Sequence, residues 1–232
     1  MLLEDLNWMD VERYLQTDDR IILVTGATEQ HAYLSLLTDI LIPAKIAAAV
    51  GEREKVLVAP PLNFGYSREF SYFPGTISIT RQTFDFVLLE IVESLLHQGF
   101  RQFFIVNGHG GNLLPDRLHD FVNEDEVQVV WYDWRLGKAV RDFEHSLGLR
   151  FSHANWGENF PFTRCGDVPD GEKPLLELPD EFEDPQAARD LLGDGSFGGP
   201  YQISDDQMQT LFANVVNEAT ALVHQMSTPK TG

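Results

Sequence analysis

One cysteine, Cys165, stands in 232 residues, so no intrachain disulfide can form. Basic residues are scarce: Lys and Arg number 17 against 36 Asp and Glu, a formal net charge of −19. A surface of that sign repels a nucleic-acid backbone and anionic lipid, so neither is an expected partner. No apolar run reaches the length of a membrane span. The opening "MLLEDLNWMDVERYL" carries acids where a signal peptide needs bases, and a cytoplasmic, soluble protein is expected. A Walker-type "GK[ST]" is absent. "DGSFGG" is no nucleophile elbow, because Asp194 stands where G-x-S-x-G requires its first glycine.

What is present is an alternation of strands and helices. Hydrophobic residues make up 43% of the chain, enough for a sizeable core. Strands are expected at "RIILVTG" (20–26), "KVLVAP" (55–60), "RQFFIVNG" (101–108) and "VQVVWYDW" (127–134). Their nearly continuous apolarity fits strands covered on both faces. Helical patterns lie at 39–52, 81–99 and 113–124, after a short amphipathic helix in "NWMDVERYLQTDD". The expected architecture is α/β: a mostly parallel central sheet flanked by helices, one domain over residues 1–232. Residues 166–200, rich in acid, Pro and Gly, read as a surface excursion with a short helix near 185–192. A long capped helix, 204–226, follows.

In such sheets, functional groups collect at the carboxyl ends of strands. Glu29 and His31 follow the first strand, and Asp39 heads the next helix. His109 sits in "NGHGGN" after the third strand, and His153 and Glu158 in "FSHANWGEN" after the fourth. Carboxylates with imidazoles converging on one rim suit zinc, manganese or a similar divalent ion. Glu29 and His31 are two apart, so in extended backbone they share a face with Cα atoms roughly 6–7 Å apart, a span for two adjacent ions rather than one. An Asp at a helix N-terminus stays ionised and can bridge them. His97, His119, His145 and His224 lie in helical contexts and are assigned to surface or packing roles. Trp134 and Trp156 fit a pocket wall and the core equally well. Arg68 is suited to a substrate carboxylate or to a surface ion pair.

Taken together, these motifs resemble the creatininase (creatinine amidohydrolase) family of metal-dependent amidohydrolases. The resemblance rests on "TGATEQH" with "TD", "YFPGTISI" (72–79), "NGHGGN" (107–112) and "HANWGEN" (153–159), in that order. It implies a three-layer sandwich and two divalent ions per chain, zinc and/or manganese. Glu29, Asp39 and His109 would hold one ion; His31, Asp39 and Glu158 would hold the other, with Asp39 bridging. His153 and Glu158 would be catalytic, with His153 protonating the leaving nitrogen. The resemblance further implies a small-molecule substrate and a homo-oligomer, the family commonly forming hexamers from dimers.

The sequence also departs from the family. Ala32-Tyr33-Leu34 follows "EQH" where Gly-Pro-His is usual. Phe70 stands at a family His position, and Gly111 where creatininase itself has a metal-binding Glu, which leaves that role to Glu158. Asn159 and Phe160 replace Thr-Ser. The metal residues survive, but the pocket is its own. An amide or formamide is the first expectation for the bond cleaved. A keto-inositol C–C bond on the same site and a non-catalytic metal scaffold are the alternatives. A two-metal phosphoesterase is disfavoured, because few basic residues are available to clamp phosphate.

Overall fold

The computed structural model describes residues 1–118, 127–179 and 182–226. Its centre is a four-stranded sheet of β1 (Arg20–Thr25), β2 (Leu57–Val58), β3 (Gln102–Asn107) and β4 (Gln128–Asp133). The order is β2-β1-β3-β4 and every pairing is parallel. The expected strand at 55–60 shortens to two residues. Lys55 is left-handed at φ 58 and closes the preceding helix, and Pro60 and Pro61, which have no N–H to give a ladder, follow Ala59.

Side chains alternate across the sheet and build a core on each face. Ile22, Val24, Val58, Phe104 and Val106 face α2 (Thr38–Glu54), α4 (Lys138–Leu147) and α6 (Asp205–Gln225). Ile21, Leu23, Leu57, Phe103 and Ile105 face α1 (Trp8–Tyr14) and α3 (Arg81–Gln98). This gives the three layers expected of strands buried on both sides. Capping follows the sequence. Asn7 and Ser204 form capping boxes, Thr80 caps α3, and left-handed Gly99 and Gly148 end α3 and α4.

One expectation needs correction, and one open reading is decided. Residues 113–115 are irregular and 116–117 form a turn, so the expected helix does not start at 113, where Pro115 disfavours the helical conformation of the residue before it; Leu118 is helical. Residues 119–124 of that pattern, and His119, lie outside the described residues. Trp134 and Trp156 are core, 1% and 0% exposed, packed with Phe143, Phe151 and Phe160. Neither walls a pocket. The excursion carries α5 (Pro185–Leu192) and a small hairpin of β5 (Glu172–Lys173) with β6 (Gly199–Pro200).

The chain leaves β1 toward β2 on one side and β3 toward β4 on the other, so the order switches direction between β1 and β3. A crevice opens at such a point beyond the strand ends. The segments after β1 and β3 carry Glu29, His31 and His109.

Candidate metal centre

Asp39 reaches this crevice because two glycines let the head of α2 press onto the strand ends. A Cβ on Gly26 or on Gly108 would collide with the Asp39 carbonyl. Pro43, four residues further along α2, has no N–H with which to close the usual helical bond to that carbonyl. The Asp39 carboxylate lies in the first turn of α2, where the helix dipole favours its negative charge.

The carboxylate divides its oxygens. Oδ1 lies 3.0 Å from His31 Nε2 and Oδ2 lies 2.8 Å from His109 Nδ1. Glu29 Oε2 is 3.4 Å from His109 Nδ1, and Glu158 Oε2 is 3.8 Å from His31 Nε2. Two triads result, Glu29/Asp39/His109 and His31/Asp39/Glu158, with ligand-type atoms inside each within 4.8 Å of one another. All five residues are buried. A third grouping, Glu29/His31/His153, is also within that spacing.

Neighbouring groups fix the ring nitrogens. His31 Nδ1–H donates to the Glu29 carbonyl at 3.1 Å, and His109 Nε2–H donates to the Tyr66 carbonyl at 2.7 Å. Each ring then turns its other nitrogen toward the carboxylates, the arrangement common for metal-ligating histidines. His31 Nε2 and Glu29 Oε2 are buried without a hydrogen bond, although carboxylates stand close by. Buried polar atoms are rarely left so, and an ion is one explanation for such orphans. Three buried carboxylates in one cluster also need positive charge. The donor set of acid oxygens and imidazole nitrogens fits zinc or manganese.

The protonation of the metal-free cluster reflects the same crowding. Burial pushes the Glu29 carboxyl up to about 7 against the pull of His109. Burial alone would lower both His31 and His109. Asp39 and Glu158 outweigh it at His31, raised to about 10, and Glu29 and Asp39 outweigh it at His109, raised to about 9. Burial opposes the charge on Asp39, but His31 and His109 hold it well below the usual carboxylate range. Burial raises Glu158, which accepts the Ala154 N–H at 2.7 Å.

His153 stands beside the two triads. Its Nδ1 faces Glu29 Oε1 at 3.7 Å, and its ring lies 4.4 Å from that of His31. Burial, then the neighbouring His31, depress its pKa well below the usual imidazole value. Ala32 and Ala154, each immediately after a site histidine, hold φ of 49 and 55. A left-handed alanine costs roughly 1–2 kcal/mol, so the surrounding packing must enforce both bends.

The structure brings together all six residues singled out in the sequence. It adds others that sequence reading passed over. Gln30, between Glu29 and His31, is buried; its carboxamide N lies 2.9 Å from His153 Nε2 and donates to the Gly195 carbonyl at 3.1 Å. Its place inside the "EQH" motif was the available signal. Asn107 donates to Asp133 Oδ2 at 3.1 Å, and Arg135 grips Asp133 through two bonds of 3.0 and 2.6 Å, bracing the His109 turn. Phe197, 44 residues from His153, carried no signal at all. Arg68 is exposed on a short turn.

Among curated proteins, the chain is 30% identical over 115 residues to creatinine amidohydrolase of Pseudomonas putida, a stretch covering 47% of this chain and 44% of that protein. It is 39% identical over 100 residues to the mycofactocin precursor peptide peptidase of Mycolicibacterium smegmatis, covering 40% of each. It is 24% identical over 142 residues to a 3-dehydro-scyllo-inosose hydrolase of Thermotoga maritima, covering 60% of this chain and 46% of that one. The chain thus spans less than half the length of each of these relatives. A crystal structure of creatinine amidohydrolase shares the fold, with TM-score 0.80 and 22% identity over 99% of this chain and 98% of that one. Creatininase structures described as a manganese form and a Zn–Zn type share it at TM-scores of 0.80 and 0.78. The family model described as creatinine amidohydrolase matches residues 4–223, and the chain belongs to the creatininase family.

Proposed function

We propose that this protein is a metal-dependent hydrolase that cleaves an amide-type C–N bond in a small molecule. The observation that carries the reading is the divided carboxylate of Asp39, with one oxygen beside His31 and the other beside His109. In this reading Glu29, Asp39 and His109 hold one divalent ion, and His31, Asp39 and Glu158 hold a second. When bound, such ions supply Lewis-acid chemistry, acidifying water toward neutrality and polarising a carbonyl.

The chain's own residues supply the remaining work. Buried carboxylates and fixed imidazoles present the donors already oriented, so little reorganisation accompanies binding. His153 is neutral near pH 7, because its pKa is depressed. Where Nε2–H donates to the Gln30 carbonyl at 3.1 Å, Nδ1 is left free to take up a proton and pass it to the departing nitrogen. Phe70 and Phe197 flank the ring at centroid distances of 5.1 and 4.8 Å and leave its side chain 12% exposed.

The Thermotoga maritima relative favours a second reading, hydrolysis of a C–C bond in a cyclic ketone, on the same site. Family resemblance supports a homo-oligomer. The test is metal analysis of the purified protein, with a screen of small amides, formamides and cyclic ketones. Two divalent ions per chain and chelator-sensitive amide cleavage are expected. Failure to retain or take up zinc or manganese would remove the reading.

A further inference from the structure

The acidic, glycine-rich excursion after residue 166 returns to the site at residues 193–199. Gln30 donates to the Gly195 carbonyl at 3.1 Å. Phe197 N–H donates to the His153 carbonyl at 3.1 Å, and Asn155 donates to the Gly198 carbonyl at 3.1 Å. This turn therefore joins the segment carrying Glu29 and His31 to the segment carrying His153 and Glu158. The approach is close. Gly195 has φ 101, and a Cβ there would run into the Gln30 carboxamide.

A single cation holds the turn. The Lys173 ammonium donates to the Leu192 carbonyl at 2.6 Å, to Asp194 Oδ1 at 2.6 Å and to the Ser196 carbonyl at 2.8 Å. All three of its N–H groups are thus used on one short stretch of chain. Asp194 in turn accepts from Ser196 N–H at 3.1 Å and from the Tyr201 hydroxyl at 2.6 Å. The Lys173 side chain is 17% exposed and that of Asp194 24%, so water screens the pair only partly. The main-chain acceptors lie three residues before and one residue after Gly195, and Phe197 follows at once.

We propose that Lys173 is a positioning residue for His153. Its ammonium gathers residues 192–196, and the gathered turn seats the Gly195 carbonyl on Gln30 and the Phe197 ring on His153. The imidazole is thereby enclosed between Phe70 and Phe197, with Nδ1 kept toward Glu29. Lys173 touches none of the five metal-type ligands among its described contacts, so it acts on the histidine and not on the metal centre. This rests on the reading of His153 as the proton carrier only where turnover is measured.

The test compares Lys173→Met, which keeps the apolar stem and loses the ammonium, with Lys173→Arg in the zinc-loaded protein. The first readout is the rate at which diethylpyrocarbonate modifies His153, followed by peptide mass, with exposed His97 and His224 as internal references. Lys173→Met is expected to speed modification of His153 several-fold, leave the reference histidines unchanged and retain the wild-type zinc content. Lys173→Arg should restore most of the protection. On whichever substrate the screen yields, Lys173→Met should lower kcat with little change in KM. An unchanged His153 rate in folded Lys173→Met overturns the proposal, and so does loss of zinc, which would mean a general structural role. If Lys173→Met does not fold, Asp194→Asn carries the same expectations and the same overturning results. Measured at a pH where the imidazole is neutral, the modification rate reads enclosure of the ring whether or not His153 shuttles a proton in turnover, so its failure is distinct from failure of the catalytic reading.

Discussion

Phe70 lies face to face with His153, the ring centroids 5.1 Å apart and the planes 6° from parallel. Phe70 is 3% exposed and belongs to a small cluster with Phe73, Leu192 and Phe197. An apolar ring on an imidazole face withdraws it from water and so favours its neutral form. Phe70→Ala should cost about 3–5 kcal/mol of stability, the usual range for a buried phenylalanine. It should also raise the His153 pKa toward the ordinary imidazole value. Thermal unfolding and an NMR titration of the His153 ring check both effects. An unmoved pKa in a folded variant would show that Phe70 does not desolvate the ring.

By resemblance, Phe70 puts an aromatic ring where family members carry His, and Tyr33 puts one where Pro is usual. Tyr33 packs edge-on against Tyr201 at 5.5 Å. Creatinine, small and polar, should therefore be a poor substrate. Steady-state assay of the zinc- or manganese-loaded protein with creatinine decides this, and efficient turnover would contradict it.

Asp39 is the residue shared by both triads. Asp39→Ala should release or greatly weaken both ions, whereas Glu29→Gln should weaken mainly one. Metal stoichiometry after gentle dialysis separates the two cases. Two tightly held ions in Asp39→Ala would remove the bridge.

His153→Ala should keep the metal content and lower turnover by about 10²–10⁴-fold, the range for a positioned acid–base group. A parallel loss of metal would make His153 a ligand, as its spacing to Glu29 and His31 permits.

The raised values of His31 and His109, about 10 and about 9, make the metal-free protein sensitive to alkali. Both imidazoles bind protons more tightly folded than unfolded, where the reference is about 6.5. Their stabilising contribution is complete below pH 6.5 and is lost as pH rises through 9 and 10. Chelator-treated protein should therefore lose thermal stability between pH 6.5 and 9.5. Metal competes for the same nitrogens, so zinc uptake should release protons and tighten with pH over that window. Thermal unfolding across the pH range and zinc calorimetry in buffers of different ionisation enthalpy measure the two effects. A flat stability profile would show that these histidines are not protonated in the metal-free fold.

Much of this protein was legible in its residue order, because the strongest signals are local. Runs such as "RIILV" and "RQFFIV" can only be strands covered on both faces, and the helix ends at Ser204 and Gly99 follow from capping chemistry. The six site residues stood out because parallel strands deliver their following loops to one edge, so position and residue type sufficed to choose them. Local chemistry could not settle which aromatic residues face the site. Trp134 and Trp156 lie near the motif segments yet belong to the core, while Phe70 and Phe197 reach His153 from segments 83 residues before it and 44 after it. Nor could it place Lys173, whose partners appear only once the hairpin of β5 and β6 has folded back. The residue pattern determined the layers and the charged cluster, since burial of a periodic apolar face is decided within each element. Tertiary packing alone decided what encloses His153, since contacts between distant segments depend on how the closed chain fills space.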